Sequence, residues 1–495
     1  MKLTPTNITT LSLITTALFS GVVLSSSLVS ADDDSVVDEI NITVPVACTM
    51  SGTGMNTHNA EINNGQYNSA IGETTLKAFC NDNEGFAIYT IGYTDNEEGK
   101  NVLTNSTLSS SYDIVTGTAT SGNTSNWAMK LSTITSPAPT YPIIITGTNS
   151  DTLKEQGDPD FSSFQAVPDD YTKVAYRTAS TDTGTNTEGS TLTTTYQAYI
   201  SKTQPAGTYT GQVKYTLVHP HDTTAPEKPL YLHEVNEWKE AKLPNIGDSV
   251  EAIDIRDGKT YLVSRLNGNR IWLMENLKLD PTDQAVGAKM NESNTNASMD
   301  AIRNYYDGNI SVSGWTTSPI ANLSSGFNSN TEPQINNTHI ESVSNDSMDQ
   351  ANQWKTGVLY NYCAATVGTY CYEYGSEYDA PDSLIDAVYD LCPANWRMPT
   401  GGSSGEYQAL YSQYNTYTTL RNTFRLPMTG FYATSSLVMG GEIGNYWSST
   451  FRSYQAGNEM TYQIYTLTIH RPSSSVGTTN SNNRTTGYPI RCIVK

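Results

Sequence analysis

The six cysteines of this 495-residue chain constrain its fold more than any other feature. They are, in chain order, Cys48, Cys80, Cys363, Cys371, Cys392 and Cys492. In an exported protein an even number of cysteines predicts disulfides, and several pairings are formally possible. The two early cysteines are the simplest partners for each other, and among the late four we favour Cys363–Cys371 and Cys392–Cys492. A zinc site is the competing interpretation, but the sequence has no CxxC pair and no histidine cluster.

The N-terminus predicts export. Lys2 precedes an apolar stretch over residues 11–23, and Val29 and Ala31 suit the positions before a signal-peptidase cut. An uncleaved membrane anchor is the alternative, but Ser and Thr interrupt the apolar stretch. No later stretch approaches the roughly 18 apolar residues of a spanning helix. We therefore expect a signal peptide at 1–31 and a secreted or surface-associated protein without a membrane span after cleavage.

The charge of the chain argues against two classes of partner. The 49 Asp and Glu residues outnumber 28 Lys and Arg, for a net charge of −21. A protein with this negative charge is not expected to bind nucleic acid or anionic lipid, because such binding depends on cationic side chains that release counterions. Only 16% of the residues are charged, which suits extracellular β-structure.

Residues 32–218 predict an antiparallel β-sandwich domain. Apolar residues alternate over 40–48, strands are expected at 76–80 and 86–93, and no long helical period interrupts the region. The phrase at 205–211 and its following strand resemble the last hairpin of pilin-like or WxL-like surface domains. Residues 219–247 predict a stiff polar linker. Its His219 and His221 are interpreted as solvated rather than as metal ligands.

Residues 248–495 predict a second, α+β domain. Asp257-Gly258 and Asn267-Gly268 suit tight hairpin turns. Residues 281–350 are interpreted as a long surface insertion, with a short helix near 299–306. Ser403 and Glu406 have the spacing of a capping box before a helical period. Its apolar face is expected to be Tyr407, Leu410, Tyr411 and Tyr414. Strands are expected around 424–426, 460–469 and 490–494.

Ordered phrases in this second domain resemble a known family, the Fibrobacter succinogenes major paralogous (FISUMP) domain. They lie at residues 272–277 (WLMENL), 357–362 (GVLYNY), 392–400 (CPANWRMPT), 426–430 (LPMTG), 444–449 (GNYWSS) and 490–493 (IRCI). The resemblance implies a C-type-lectin-like fold, shared with formylglycine-generating-enzyme domains. It also implies that Trp272, Trp396, Arg397 and Trp447 belong to the framework of the fold.

The residues favour recognition over catalysis. No HExxH motif is present, and we expect no enzyme and no cofactor. The predicted partner is a surface glycan or protein. Trp315 in the insertion is the candidate ligand-binding residue. The alternative is that Trp315 packs against the core and holds the insertion in place. Calcium remains a minor alternative at 332–334, where Glu-Pro-Gln has the look of a lectin site. Two other functions stay open: a structural subunit of a surface layer or fibre, and a formylglycine-generating-type oxidase, which needs reactive cysteines.

Overall fold

The computed structural model describes residues 47–495 apart from 53–68, 96, 106, 118–123, 134–142, 149, 154–158, 180–188, 267, 299–334, 369–385, 434–435 and 457–458. These residues belong to one compact unit, Ala47–Lys495, and form a mostly β structure with several sheets. The predicted strand before Cys48, the helix near 299–306, the calcium candidate at 332–334 and Trp315 lie outside the described residues. Every helix in the described ranges is too short or too polar to span a membrane.

Two sheets occupy the first half of the described chain. Their strands are β1 Cys48–Gly52, β2 Ser69–Cys80, β3 Phe86–Thr94, β4 Glu97–Glu98, β5 Val115–Thr116, β6 Asn126–Thr133, β7 Ile144–Ile145, β8 Thr172–Arg177, β9 Ser190–Tyr199 and β10 Val213–Val218. One sheet has the order β1-β2-β9-β6-β5, and the other has the order β10-β3-β8-β7 with β4 paired to β3. A short 3-10 turn, Ser110–Tyr112, interrupts the strands.

Both of these sheets contribute to one buried cluster. Trp127, Met129 and Leu131 alternate along β6, while Phe86 and Ile88 alternate along β3, and all belong to this cluster. The period-2 pattern of each strand therefore directs one apolar face inward. The predicted Cys48–Cys80 disulfide is present and joins β1 to β2.

The segment after β10 packs into the second half of the chain. A 3-10 turn, Leu232–Glu234, leads into helix α1, Val235–Lys242. Leu232, Val235 and Trp238 are buried in the core of residues 230–495. The stretch that the sequence assigns to a polar linker thus carries a short amphipathic helix, whose few apolar residues are spaced three apart.

The central sheet of the second half brings the two ends of that region together. Its strands are β11 Ser249–Ile253, β12 Thr260–Leu266, β13 Arg270–Leu273, and later β16 Trp396–Arg397 and β22 Ile493–Val494, in the order β11-β12-β13-β22-β16. The predicted Cys392–Cys492 disulfide is present beside β16 and β22, and both cysteines are buried. Cys363 is also disulfide-bonded, and Cys371, its predicted partner, lies outside the described residues.

The remaining elements surround this sheet. They are helices α2 Gln284–Gly287, α3 Ser347–Asn352, α4 Tyr362–Ala365, α5 Glu406–Tyr414 and α6 Tyr417–Phe424, and strands β14 Ile335–Asn336, β15 Leu359–Tyr360, β17 Phe431–Ala433, β18 Ser436–Val438, β19 Ile443–Ala456, β20 Glu459–His470 and β21 Ser475–Asn482. Strands β19, β20 and β21 form a separate three-stranded sheet.

Two local predictions in this region are wrong. Ser403 does not cap α5: Gly405 is the N-cap residue, and the Glu406 N–H donates instead to Thr400 Oγ1 at 2.9 Å. Residues near 424–426 do not form a strand, because Phe424 is the last residue of α6. Leu420 and Phe424 are buried at helical spacing, so burial of this face overrides the strand preference of the surrounding Thr and Phe residues.

Candidate functional site

Three of the phrases that resemble FISUMP contact the terminal segment of the chain. Trp272 is paired with Ile493, and Trp396 is paired with Val494. The Trp447 N–H donates to Pro489 O at 3.2 Å, which ties the GNYWSS phrase to the same terminal segment. These sequence phrases, distant along the chain, therefore form one contiguous framework.

The three tryptophans predicted as framework residues are buried. Trp272 is 1% exposed, and Trp396 and Trp447 are 0% exposed. The indole of Trp396 donates to Leu232 O at 2.7 Å and that of Trp447 donates to Tyr360 O at 2.8 Å. The Trp272 indole packs edge to face against Phe424.

Arg397 anchors the start of helix α5. Its guanidinium donates two hydrogen bonds of 2.7 Å to the carboxylate of Glu406. Burial by itself raises the pKa of Glu406, but the hydrogen bonds and charge of Arg397 hold that pKa below its usual value. The Thr400 N–H also donates to this carboxylate at 3.0 Å, so the pair fixes the loop between β16 and α5.

Three of the other buried arginines hold loops together. Arg491 donates to Asn276 Oδ1 and to the carbonyl oxygens of residues 273, 424 and 425, and burial lowers its pKa to about 10. Arg421 binds Asp346 at 2.5 Å and Asp349 at 2.6 Å. Arg256 pairs with Asp254 at 2.7 Å, where both side chains are almost fully buried. These contacts give the arginines structural roles.

Asp390 and Asp257 are among the buried carboxyl groups whose pKa values are raised. Burial raises the pKa of Asp390 to about 6, but both of its oxygens already accept backbone N–H groups, from Cys392 and Met398. The pKa of Asp257 is also raised, mainly by burial and secondly by the negative charge of Asp254. The Asp257 side chain is only 4% exposed.

A small cleft lies between the β12–β13 turn and helix α5. Its volume is about 240 Å³, and it is lined by Gly268, Arg270, Trp272, Ser404, Gly405, Glu406, Ala409, Leu410 and Gln413. The Arg270 side chain is 53% exposed and lies 3.9 Å from Glu406. The volume falls below the range of drug-sized pockets and suits a single sugar or side chain. Its polar lining comes from Arg270, Ser404, Glu406 and Gln413, and its apolar lining includes Trp272, Ala409 and Leu410.

A second polar cluster joins the first half of the chain to the 3-10 turn after it. Ligand-type atoms of Glu97, His233 and Glu234 all lie within 4.8 Å of one another. Within the described ranges this is the one such group of three or more His, Cys, Asp or Glu residues. His233 Nε2 lies 3.0 Å from Glu97 Oε1, and Lys228 Nζ lies 3.2 Å from Glu234 Oε1.

Sequence reasoning missed this cluster. Glu97 and His233 are 136 positions apart, and no spacing rule links them. The histidines that sequence analysis considered, His219 and His221, instead contact Asp82 and the Glu84 carbonyl oxygen near the protein surface. Comparison of the chain with protein-family models, curated proteins and solved structures gave no match.

Proposed function

We propose that this protein is a non-catalytic recognition or adhesion protein, secreted or displayed at the cell surface, whose residues 248–495 have a C-type-lectin-like fold of the FISUMP type. The observation that carries the proposal is the pairing of β22 with both β13 and β16. It places the beginning and end of this region in one sheet, closed by the Cys392–Cys492 bond. Closed ends of this kind are what the resemblance implies.

The first half of the chain also supports this proposal, because we infer that it is a β-sandwich that presents the second half. Its two sheets share one buried cluster, as the facing sheets of a sandwich do. Sandwich domains of extracellular proteins commonly present or space other domains, and they need no cofactor for that role.

Both flanks of the insertion are attached to the framework. On one side the Asn296 N–H donates to Cys392 O at 2.8 Å, and on the other side Asp346 and Asp349 bind Arg421. Loops held at both ends by a rigid base are the usual carriers of binding residues. The insertion, with Trp315, and the Arg270 cleft are therefore the two candidate contact surfaces.

The test is a binding screen of the full chain on arrays of glycans and peptides, with and without chelator. Trp315→Ala probes the insertion and Arg270→Ala probes the cleft. The matched controls are Tyr112→Ala, an aromatic residue with 44% exposure in the first half, and Lys242→Ala, an exposed cation. We expect one probe variant to lose at least about tenfold in affinity, which corresponds to about 1.4 kcal/mol, while both controls bind normally. Equal binding by all four variants would contradict both contact surfaces.

A structural role in a fibre or surface layer is the second candidate. Strand β21 pairs only with β20 among the described residues, and its sequence, SVGTTNSN, contains no charge and no proline. An edge strand without such protection can accept a strand from another chain. Light scattering of the purified protein separates the two functions: a discrete monomer favours recognition, whereas a ladder of sizes favours a fibre subunit.

A further inference from the structure

Glu97, His233 and Glu234 are held close together by hydrogen bonds of the surrounding backbone and side chains. The Glu98 N–H donates to the Tyr231 hydroxyl oxygen at 2.8 Å, which fixes β4 against the segment before the 3-10 turn. On the other side of that turn, Asn395 Nδ2 donates to His233 O at 2.7 Å, and the Trp396 indole donates to Leu232 O. The three side chains therefore occupy preset positions, as the ligands of a binding site must.

The donor set is suited to a first-row divalent cation. One imidazole nitrogen and two carboxylate oxygens are ligands that zinc uses, at about 2.0–2.2 Å, with neighbouring ligand atoms roughly 3.4 Å apart in a tetrahedral site. Glu97 Oε1 and His233 Nε2 are 3.0 Å apart, and the ligand atoms of all three residues lie within 4.8 Å of one another. Changes of up to about 1.4 Å in these separations would complete the tetrahedral geometry.

One ring nitrogen of His233 is directed at the carboxylate of Glu97. Its Nε2 atom lies 3.0 Å from Glu97 Oε1, whereas its buried Nδ1 atom has no hydrogen-bond partner in the part of the chain that the structure describes. Nε2 is therefore the nitrogen placed to bind an ion together with Glu97.

The three side chains are also shielded from water. Their exposures are 9% for Glu97, 13% for His233 and 18% for Glu234. Burial raises the pKa of Glu234, and Lys228 partly offsets this effect. Lys228 and Lys100 are the cations that face the carboxylates now, at 3.2 Å from Glu234 and 3.9 Å from Glu97. A metal ion would displace Lys228 from Glu234 Oε1.

We propose that Glu97, His233 and Glu234 bind one zinc-class divalent cation, with a further position left for water. The ion would crosslink strand β4 to the 3-10 turn Leu232–Glu234, and thereby the first half of the chain to the second. This is a structural metal site, and it does not depend on the recognition function proposed above.

Equilibrium dialysis of the chelator-treated full chain against Zn²⁺ alone tests the site. We expect one equivalent of tightly bound zinc, and an affinity at least about tenfold lower in each of His233→Ala, Glu97→Gln and Glu234→Gln. Cobalt should give the visible absorption of a four-coordinate nitrogen and oxygen site in the parent protein only. Glu234→Gln alters the most exposed of the three ligands, so it keeps the test valid if a more buried variant does not fold.

The control is a double variant, His219→Ala with His221→Ala, which removes the H-x-H motif of the preceding segment. It should bind zinc as the parent does. The proposal is overturned if no saturable one-to-one binding occurs, if the control variant loses the zinc, or if Glu97→Gln and Glu234→Gln bind as tightly as the parent.

Discussion

Removal of the Cys392–Cys492 disulfide should destabilise the protein more than removal of Cys48–Cys80. The first bond spans 100 positions and the second spans 32. Loop-closure entropy in the unfolded chain assigns them about 4.7 and about 3.7 kcal/mol, respectively, at 25 °C. Cys392 and Cys492 are both fully buried, so the loss of their sulphur atoms adds a packing cost in the same direction.

The assay compares two double variants, Cys392→Ala/Cys492→Ala and Cys48→Ala/Cys80→Ala, with the parent protein under non-reducing conditions. Guanidinium unfolding followed by tryptophan fluorescence reports on both halves, because Trp127 is buried in the first half and Trp272, Trp396 and Trp447 are buried in the second. We expect the late-pair variant to lose about 4–5 kcal/mol of unfolding free energy, about 1 kcal/mol more than the early-pair variant. A loss below about 1 kcal/mol, or the reverse order, would refute the reasoning.

Three further predictions concern buried charges and the helix cap. Burial raises the pKa values of Asp390 (to about 6) and Asp257, so the folded protein holds their protons more tightly than the unfolded chain does. The stability that this proton binding adds should be fully present below pH 4 and lost as the pH rises through 6. The change should be at most about 3 kcal/mol for Asp390, and Asp390→Asn should flatten the pH profile measured by urea unfolding. Arg421→Met leaves the buried Asp349 carboxylate without its cation, whereas Arg471 remains 3.4 Å from Asp346. The variant should cost about 3–5 kcal/mol, measured by calorimetry; an effect below about 1 kcal/mol would contradict the buried ion pairs. Thr400→Ala should lower the thermal midpoint through a loss of about 1 kcal/mol, whereas Ser403→Ala should leave the midpoint unchanged; equal effects would show that Thr400 does not cap the helix.

The sequence predicted the elements whose signals are local. The turn dipeptides at 257–258 and 267–268 fall where the hairpins of β11, β12 and β13 turn, and Tyr407 and Leu410 lie on the buried side of α5. These signals depend on the φ preferences of a few residues and on a 3.6-residue period, which the chain carries in itself. The early disulfide and the Cys392–Cys492 bond were also predicted correctly.

The elements that sequence reasoning missed depend on tertiary contacts. Helix α6 begins Tyr417-Thr-Thr, which favours strand, and its helical form depends on burial of Leu420, Arg421 and Phe424. Helix α1 depends on the burial of Val235 and Trp238 in a core built from later residues. Both helices are eight residues long, too short to be stable by propensity alone.

The candidate sites depend on folding even more strongly. Glu97 meets His233 only after β4 pairs with β3 and the 3-10 turn docks beneath Trp396. The Arg270 cleft likewise exists only because the β12–β13 turn lies against α5. Trp315, the ligand-binding residue that sequence analysis proposed, stays a prediction because it lies outside the described residues.

Recovery of a bound ligand tests the central claim, recognition without catalysis, most directly. The full chain is incubated with the ligand that it retains on the array, and the ligand is then released and weighed by mass spectrometry. The account predicts saturable binding and a ligand of unchanged mass after prolonged incubation. Conversion of the ligand into a product in amounts exceeding the protein would contradict it.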